Sequence, residues 1–178
     1  SLTAGNGATL NGGTVAGSLL ANTSSTGTVL ISGTVGGGTF SVTSGTLTLT
    51  GTINSNPTVS AGATFKGTGL VNGNLNNEGT LAVGTMGEDL SITGTLTTTG
   101  TVRLDLLNQS SFEKLNLGSI EYGGNLVVTN VGTGLSVGQT ARIIQAGSYT
   151  GIFSSLDAST FTNGVLFNSF TGTLVGLG

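Results

Sequence analysis

Residues 27–54 read GTVLISGTVGGGTFSVTSGTLTLTGTIN, and the triplet of Gly, Thr and an apolar residue occurs in them five times. The same triplet is found as early as Gly13 and as late as Gly172. Glycine accepts the positive φ of a tight turn, and Thr followed by an apolar residue is typical of a strand. We therefore predict short strands separated by glycine turns along the whole chain.

Between these turns, apolar residues occupy every second position, the period of a strand with one buried face. Thr alternates with Leu around residue 47, and charged residues alternate with apolar ones around residue 104. The alternation predicts that eight apolar side chains point inward: Leu47, Leu49, Leu81, Val83, Leu104, Leu106, Leu126 and Val128.

The turns are too closely spaced for long strands, and three strands with their turns take about 20 residues, a repeat length typical of solenoids. The intervals from Gly33 to Gly51 and from Gly79 to Gly100 bracket this repeat length. We predict a single all-β domain over residues 1–178, a right-handed parallel β-solenoid (β-helix) of about nine short rungs. A β-sandwich or jelly roll of short strands is the alternative.

The composition excludes other classes of protein. Gly and Thr contribute 33 and 32 of the 178 residues, and both disfavour helix. The chain has four Lys and Arg against seven Asp and Glu, a net charge of −3, and these charges all lie between Lys66 and Asp157. Residues 1–65 are uncharged rungs in this interpretation. Without a basic cluster, nucleic acid and anionic membranes are not expected partners.

Neither Cys nor His occurs in the sequence. Their absence excludes thiol nucleophiles, Ser-His triads and thiolate zinc sites. No apolar run approaches the ~20 residues of a transmembrane helix. We expect no catalytic, cofactor-binding or metal-binding residues, no cofactor and no enzymatic activity. The expected location is extracellular, secreted or on a bacterial cell surface, with the signal peptide already removed.

Carboxylates are the remaining candidates for chemistry, because some β-helical enzymes cleave polysaccharides with acidic residues. The interval from Glu88 to Asp105 is slightly less than one repeat, so the two could stack in adjacent rungs beside Arg103. The favoured interpretation is an outward salt-bridge ladder. We also expect that changing Glu88, Asp105, Glu113 or Asp157 to its amide alters stability only slightly, since no buried and partnered ionisable group is foreseen.

Rows of Thr suggest a second possibility, an ice-binding face. Two segments, residues 46–50 and 95–99, carry Thr at alternate positions. A flat array must continue over several rungs, however, and Asn72, Asn74 and Asn76 interrupt it in the middle of the chain. Stacked polar ladders on an ordinary outer face explain these residues better.

Residues 45–174 resemble the passenger-associated repeat and C-terminal passenger region of bacterial autotransporters. The order of several simple motifs carries this resemblance: Gly45–Gly51, Phe65–Leu75, Asn77–Gly84, Leu90–Leu96, Val102–Leu106, Glu113–Leu117, Gly123–Val128, Gly138–Gly147 and Gly151–Leu156. The resemblance implies an exported β-helical stem, with residues 66–178 as its passenger-like C-terminal rungs. This sequence contains no C-terminal membrane barrel, so we expect a released passenger, an excised piece of one or a relative anchored in another way. It also has Glu113 where Asp is common in the family.

Two classes of function remain open. The first is a structural module whose copies stack end to end into a fibre, tube or sheath. The second is a passenger stalk that acts as an adhesin or binds carbohydrate, with surface or matrix glycans as partners. The absence of Trp weakens the second class, because sugar-binding platforms commonly use exposed aromatic rings.

Overall fold

A computed structural model describes residues 2–5, 9–10, 13–16, 19–22 and 27–177 of the chain. Within these residues every regular element is a strand, as the composition predicts. The first five turns of the coil, counted over the described residues, contain three strands each: β1 (Leu2–Ala4), β2 (Thr9–Leu10), β3 (Thr14–Ala16); β4 (Leu19–Asn22), β5 (Thr28–Ile31), β6 (Thr34–Gly36); β7 (Phe40–Ser44), β8 (Thr46–Leu49), β9 (Thr52–Asn54); β10 (Pro57–Val59), β11 (Thr64–Gly67), β12 (Leu70–Val71); β13 (Leu75–Asn77), β14 (Thr80–Val83), β15 (Asp89–Thr98).

The later strands are longer and less regular. They are β16 (Thr101–Asn108), β17 (Ser111–Phe112), β18 (Lys114–Tyr122), β19 (Asn125–Gly134), β20 (Thr140–Arg142), β21 (Ile144–Ala146), β22 (Tyr149–Gly151), β23 (Ser155–Asp157), β24 (Val165–Asn168) and β25 (Thr173–Gly176). Strands β15 and β18 each continue past a corner, so each pairs along two sides of the coil.

Strands on the same side of successive turns pair in parallel, which makes the fold a β-solenoid. The second side forms the stack β2-β5-β8-β11-β14-β16-β19-β23. Thr28, Thr46 and Thr64 are successive register partners, at the same interval as Gly33 and Gly51. Later in the same stack Asn125 pairs with Ser155, so that turn of the coil is much longer. Parallel stacking excludes the sandwich and jelly roll, whose strands pair antiparallel.

The core consists of columns of buried side chains that run along the coil. Each turn of the coil contributes one residue to each column. All eight side chains predicted to point inward are buried, which confirms the period-two interpretation. The central column of the second side passes from β5 to β19 through register partners that are each 2 % exposed or less: Val29, Leu47, Phe65, Leu81, Val102 and Leu126.

The C-terminal region differs from the uniform solenoid that was predicted. Strands β20, β25 and β24 form an antiparallel sheet, in that order, beside the last turns. A tight turn reverses the chain between β24 and β25, and Gly172 at its end has a φ of 65°. Phe167 of β24 packs against Tyr122 and Phe153, with ring centroids 6.0 and 5.7 Å away. Aromatic burial on the end of the coil is the physical reason for this departure.

Candidate functional site

The acidic ladder predicted from the sequence does not form. Asp105 lies on the second side, where its register partner is Thr129. Glu88 lies in the turn before β15, and β15 belongs to the other sheet. The predicted stacking was wrong because one turn of the coil at this level is longer than the interval from Glu88 to Asp105. The register pair of Thr80 and Thr101 gives the length of that turn.

An ion pair among the described residues joins Lys114 to Asp89. Lys114 Nζ lies 3.1 Å from Asp89 Oδ2, and both side chains are about one-third exposed. Asn116 also donates to the same carboxylate oxygen, at 2.6 Å. A surface pair of this kind contributes at most about 1 kcal/mol to stability.

Asp105 instead contacts Glu113, at the far end of a short chain reversal. The backbone N–H of Asp105 donates to Glu113 Oε2 at 2.9 Å, and the backbone N–H of Glu113 donates to the Asp105 carbonyl at 2.9 Å. Glu113 is only 6 % exposed, and Asp105 Oδ1 is buried without a hydrogen-bond partner. The Glu113 carboxyl group is thus held against the Asp105 backbone, and the Asp105 charge acts on it.

The pKa of the Glu113 carboxyl group is shifted well above its ordinary value. Burial raises the pKa of Glu113 to about 7; the backbone N–H of Asp105 opposes this shift, the Asp105 charge adds to it, and the Arg103 charge opposes it. The expectation that no ionisable group would be both buried and held by a fixed partner is therefore wrong for Glu113. The spacing of residues along the sequence did not predict the contact between Asp105 and Glu113, because a local chain reversal brings them together.

That reversal is local and has a recognisable signal. Asn108 Oδ1 accepts hydrogen bonds from the backbone N–H groups of Ser110 and Ser111, an Asx-type turn. The turn places Phe112 of β17 antiparallel to Leu106 of β16, and Glu113 follows it. An Asn-Gln-Ser-Ser segment between two alternating stretches could have suggested this hairpin.

Chemically, a carboxyl group with a pKa near 7 suits general acid or base catalysis, but access opposes that role. Glu113 is buried, and the four surface grooves described in the structure are lined by other residues.

One surface groove gathers half of the chain's basic residues. It has a volume of about 450 Å³ and contains Lys114, Asn116, Arg142 and Gln145. Arg142 Nη2 donates to Tyr149 Oη at 2.9 Å. The same hydroxyl accepts from the backbone N–H of Ala146, so it holds the guanidinium in place. Asn116 and Gln145 are register partners on β18 and β21.

The outer faces of the coil carry polar ladders. Thr28, Thr46, Thr64, Thr80 and Thr101 form one continuous column of register partners. A second outward-facing column lies two residues further along the same strands. It is mixed and contains Leu30, Thr48, Lys66, Ala82 and Arg103. A flat double row of Thr is therefore not formed on the second side. On the first side, Thr97 of β15 has Asn76 as its register partner, so the Thr row is interrupted there too.

The core column is uncovered at its C-terminal end. Leu156 of β23 is the register partner of Leu126 and continues the column, yet it is 37 % exposed. A groove of about 250 Å³ lies beside it, lined also by Phe153, Leu166 and Phe167. Within the described part of the chain, β23 pairs with β19 alone.

The described residues place no group of three or more Asp or Glu side chains where it could hold a metal ion. The same part of the chain contains no helix with the length and apolarity needed to span a bilayer.

No protein-family model, curated protein or solved structure matches this chain. The resemblance to autotransporter passengers therefore stays a prediction from sequence motifs.

Proposed function

We propose that the chain is a non-enzymatic extracellular structural module whose copies stack end to end into a fibre, tube or sheath. The observation that carries this proposal is Leu156, a core-column residue left 37 % exposed on a strand with a free edge. A further strand beside β23 would bury this side chain and pair the free backbone groups.

The strands of the coil stack in parallel, so each strand has one edge toward either end. A second copy that continues the stack from β23 must present the opposite edge, which makes the contact head to tail. Head-to-tail contacts that do not close produce open polymers. The proposal also includes right-handed winding and about nine rungs, which an experimental structure would test.

Part of the C-terminal region is covered by paired strands. Val175 lies in β25, which pairs on both sides with β20 and β24. Asp157 of β23 is exposed, and hydrogen bonds from Ser159 hold the pKa of its carboxyl group below the ordinary value. The edge therefore carries one negative charge, a known deterrent to strand addition.

The test is concentration-dependent light scattering, supported by electron microscopy. Leu156→Lys places a charge in the proposed contact and is expected to prevent assembly. Asp157→Asn retains an oxygen for the Ser159 turn and is expected to lower the concentration at which assembly begins. Asn54→Lys, on an exposed mid-stack position of β9, is the charge-matched control and should assemble like the unchanged protein. Wild-type protein that stays monomeric, or Leu156→Lys protein that assembles normally, would contradict the proposal.

A second candidate function is binding of acidic glycans, favoured by the groove that contains Lys114 and Arg142. The Arg142 guanidinium recognises carboxylates, and the Gln145 amide suits sugar hydroxyls. A ligand carboxylate would compete with Asp89 for the Lys114 ammonium and the Asn116 amide. This role would fit a passenger stalk that acts as an adhesin.

Polygalacturonate, a polymer of uronic acid, is a suitable probe for this second candidate. Lys114→Gln with Arg142→Gln is expected to weaken its binding at least tenfold, since two charged contacts are lost. Lys66→Gln on β11 is the control, because it removes one positive charge outside the groove. Equal affinity for all three proteins, or no binding to the unchanged protein at low salt, would exclude this function.

A further inference from the structure

We propose that Glu113 and Asp105 form a one-proton latch that fastens the excursion over residues 107–113 to the side of the coil. In the closed state, the protonated Glu113 carboxyl group donates to Asp105 Oδ1. In the open state at neutral pH, both carboxylates are ionised and the excursion loosens. This device is independent of the end-to-end assembly proposed above.

The geometry supports a shared proton. Asp105 Oδ1 is a buried acceptor without a partner in the described structure, and such an atom is costly to leave unpaired. Two reciprocal hydrogen bonds to the Asp105 backbone, each 2.9 Å long, bring Glu113 to the same residue. A carboxylate at Glu113 has no proton to offer Asp105, whereas the neutral acid has one.

The charged neighbours do not remove the conflict between the two carboxylates. Asp105 and Arg103, both on β16, are the charged groups that act on Glu113. The register partners of Arg103 and Asp105 on β19 are Val127 and Thr129, and Ala82 of β14 is the partner of Arg103 on the other side. Those neighbouring strands therefore add no charge at these positions.

The basic residue next in sequence is engaged elsewhere. Lys114 forms its ion pair with Asp89 on β15, and its backbone N–H donates to the carbonyl of Glu88 at 3.4 Å. Strand alternation directs Lys114 away from Glu113. Lys114 therefore does not join Arg103 in compensating a charge on Glu113. Loss of the Glu113 proton leaves an ionised carboxylate in a buried site that favours the neutral acid.

The segment controlled by this latch is small and distinct. It runs from Leu107, which packs near Gly132 of β19, through the Asn108 turn to Phe112, which packs against the core. The strand pairing between β16 and β17 comprises only two register pairs, with an irregularity between them. Besides the Glu113 hydrogen bonds, the segment is held by the pairing of Asn108 with Gly134 of β19 and by the Asn108 turn. Loss of the Glu113 hydrogen bonds is therefore expected to loosen the part of the segment that follows this turn.

The direction of the pH effect follows from linkage. The pKa of Glu113 is about 7 in the folded protein against an ordinary 4.5. Below pH 4.5 the group is protonated in both the closed and the open state, so the latch is at full strength. Between pH 4.5 and 7 the open state loses its proton first, and the latch weakens up to roughly 300-fold before levelling off above pH 7.

The test combines carboxyl ¹³C NMR titration with hydrogen exchange, at a concentration where the protein is monomeric. The Glu113 carboxyl resonance is expected to titrate near pH 7. Protection factors at residues 107–113, corrected for intrinsic exchange, should fall as pH rises from 5 to 8, while those of β8 and β11 remain constant.

Glu113→Gln imitates the protonated acid, because its amide offers an oxygen to the Asp105 N–H and an N–H to Asp105 Oδ1. We expect this variant to keep residues 107–113 protected at every pH. Glu121→Gln, a change at an exposed carboxylate on β18, is the matched control and should retain the wild-type pH dependence. Asp105→Asn should lower the pKa of Glu113, because the repelling charge is removed.

A Glu113 resonance that titrates at the ordinary value would overturn the proposal. So would an equal fall in protection in Glu113→Gln and the unchanged protein. Because the titration uses the unchanged protein, the proposal stays testable even if a variant fails to fold.

Discussion

Gly67→Ala is expected to lower the free energy of unfolding by about 3 kcal/mol, through combined backbone strain and overpacking. Gly67 is the last residue of β11 and has Leu49 and Val83 as register partners below and above. Its φ is 149°, and a Cβ atom at this position would overlap the carbonyl group of Leu49. Backbone atoms in a parallel stack cannot move aside without disturbing the next turn.

Urea unfolding followed by far-ultraviolet circular dichroism measures this loss. Gly36→Ala is the matched control, because Gly36 also ends a strand of the coil, has no positive φ and would place Cβ 4.0 Å from the nearest atom, the Val15 carbonyl oxygen. That variant should be neutral or slightly more stable. Equal unfolding midpoints for the two variants would mean that close stacking at Gly67 is not a constraint.

Phe65→Ala is expected to cost about 3 to 5 kcal/mol, the usual range for a buried Phe. Phe65 is fully buried in the central column between Leu47 and Leu81, and it is one of only two aromatic residues before position 112. The remaining core of the early turns consists of smaller aliphatic side chains, which cannot fill the vacated volume without shifting the backbone.

The control for this change is Phe170→Ala, which removes the same side chain from a position that is 79 % exposed. Its effect on the unfolding midpoint should be within about 0.5 kcal/mol, as for other surface substitutions. Both variants should be measured at a concentration where light scattering finds monomers. A comparable loss in the two variants would contradict the assignment of Phe65 to the core.

The sequence alone determined the local features of this protein. Gly-Thr-apolar triplets indicated the turns, and alternation indicated that Leu47 and Leu49 point inward, as the structure confirms. These features are predictable because side-chain direction in a strand depends only on position parity and on the turns at its ends. The short spacing of the turns also indicated a coil with a short repeat, which the register of Thr28, Thr46 and Thr64 confirms.

The tertiary structure alone decided which residues meet across turns and what covers them. Asp105 contacts Glu113 instead of stacking with Glu88, because a short hairpin brings them together. Leu126 and Leu156 have the same place in the pattern, yet the first is buried and the second is partly exposed. Exposure and pKa depend on the neighbours that a residue acquires from distant parts of the chain, and local periodicity carries no information about those neighbours.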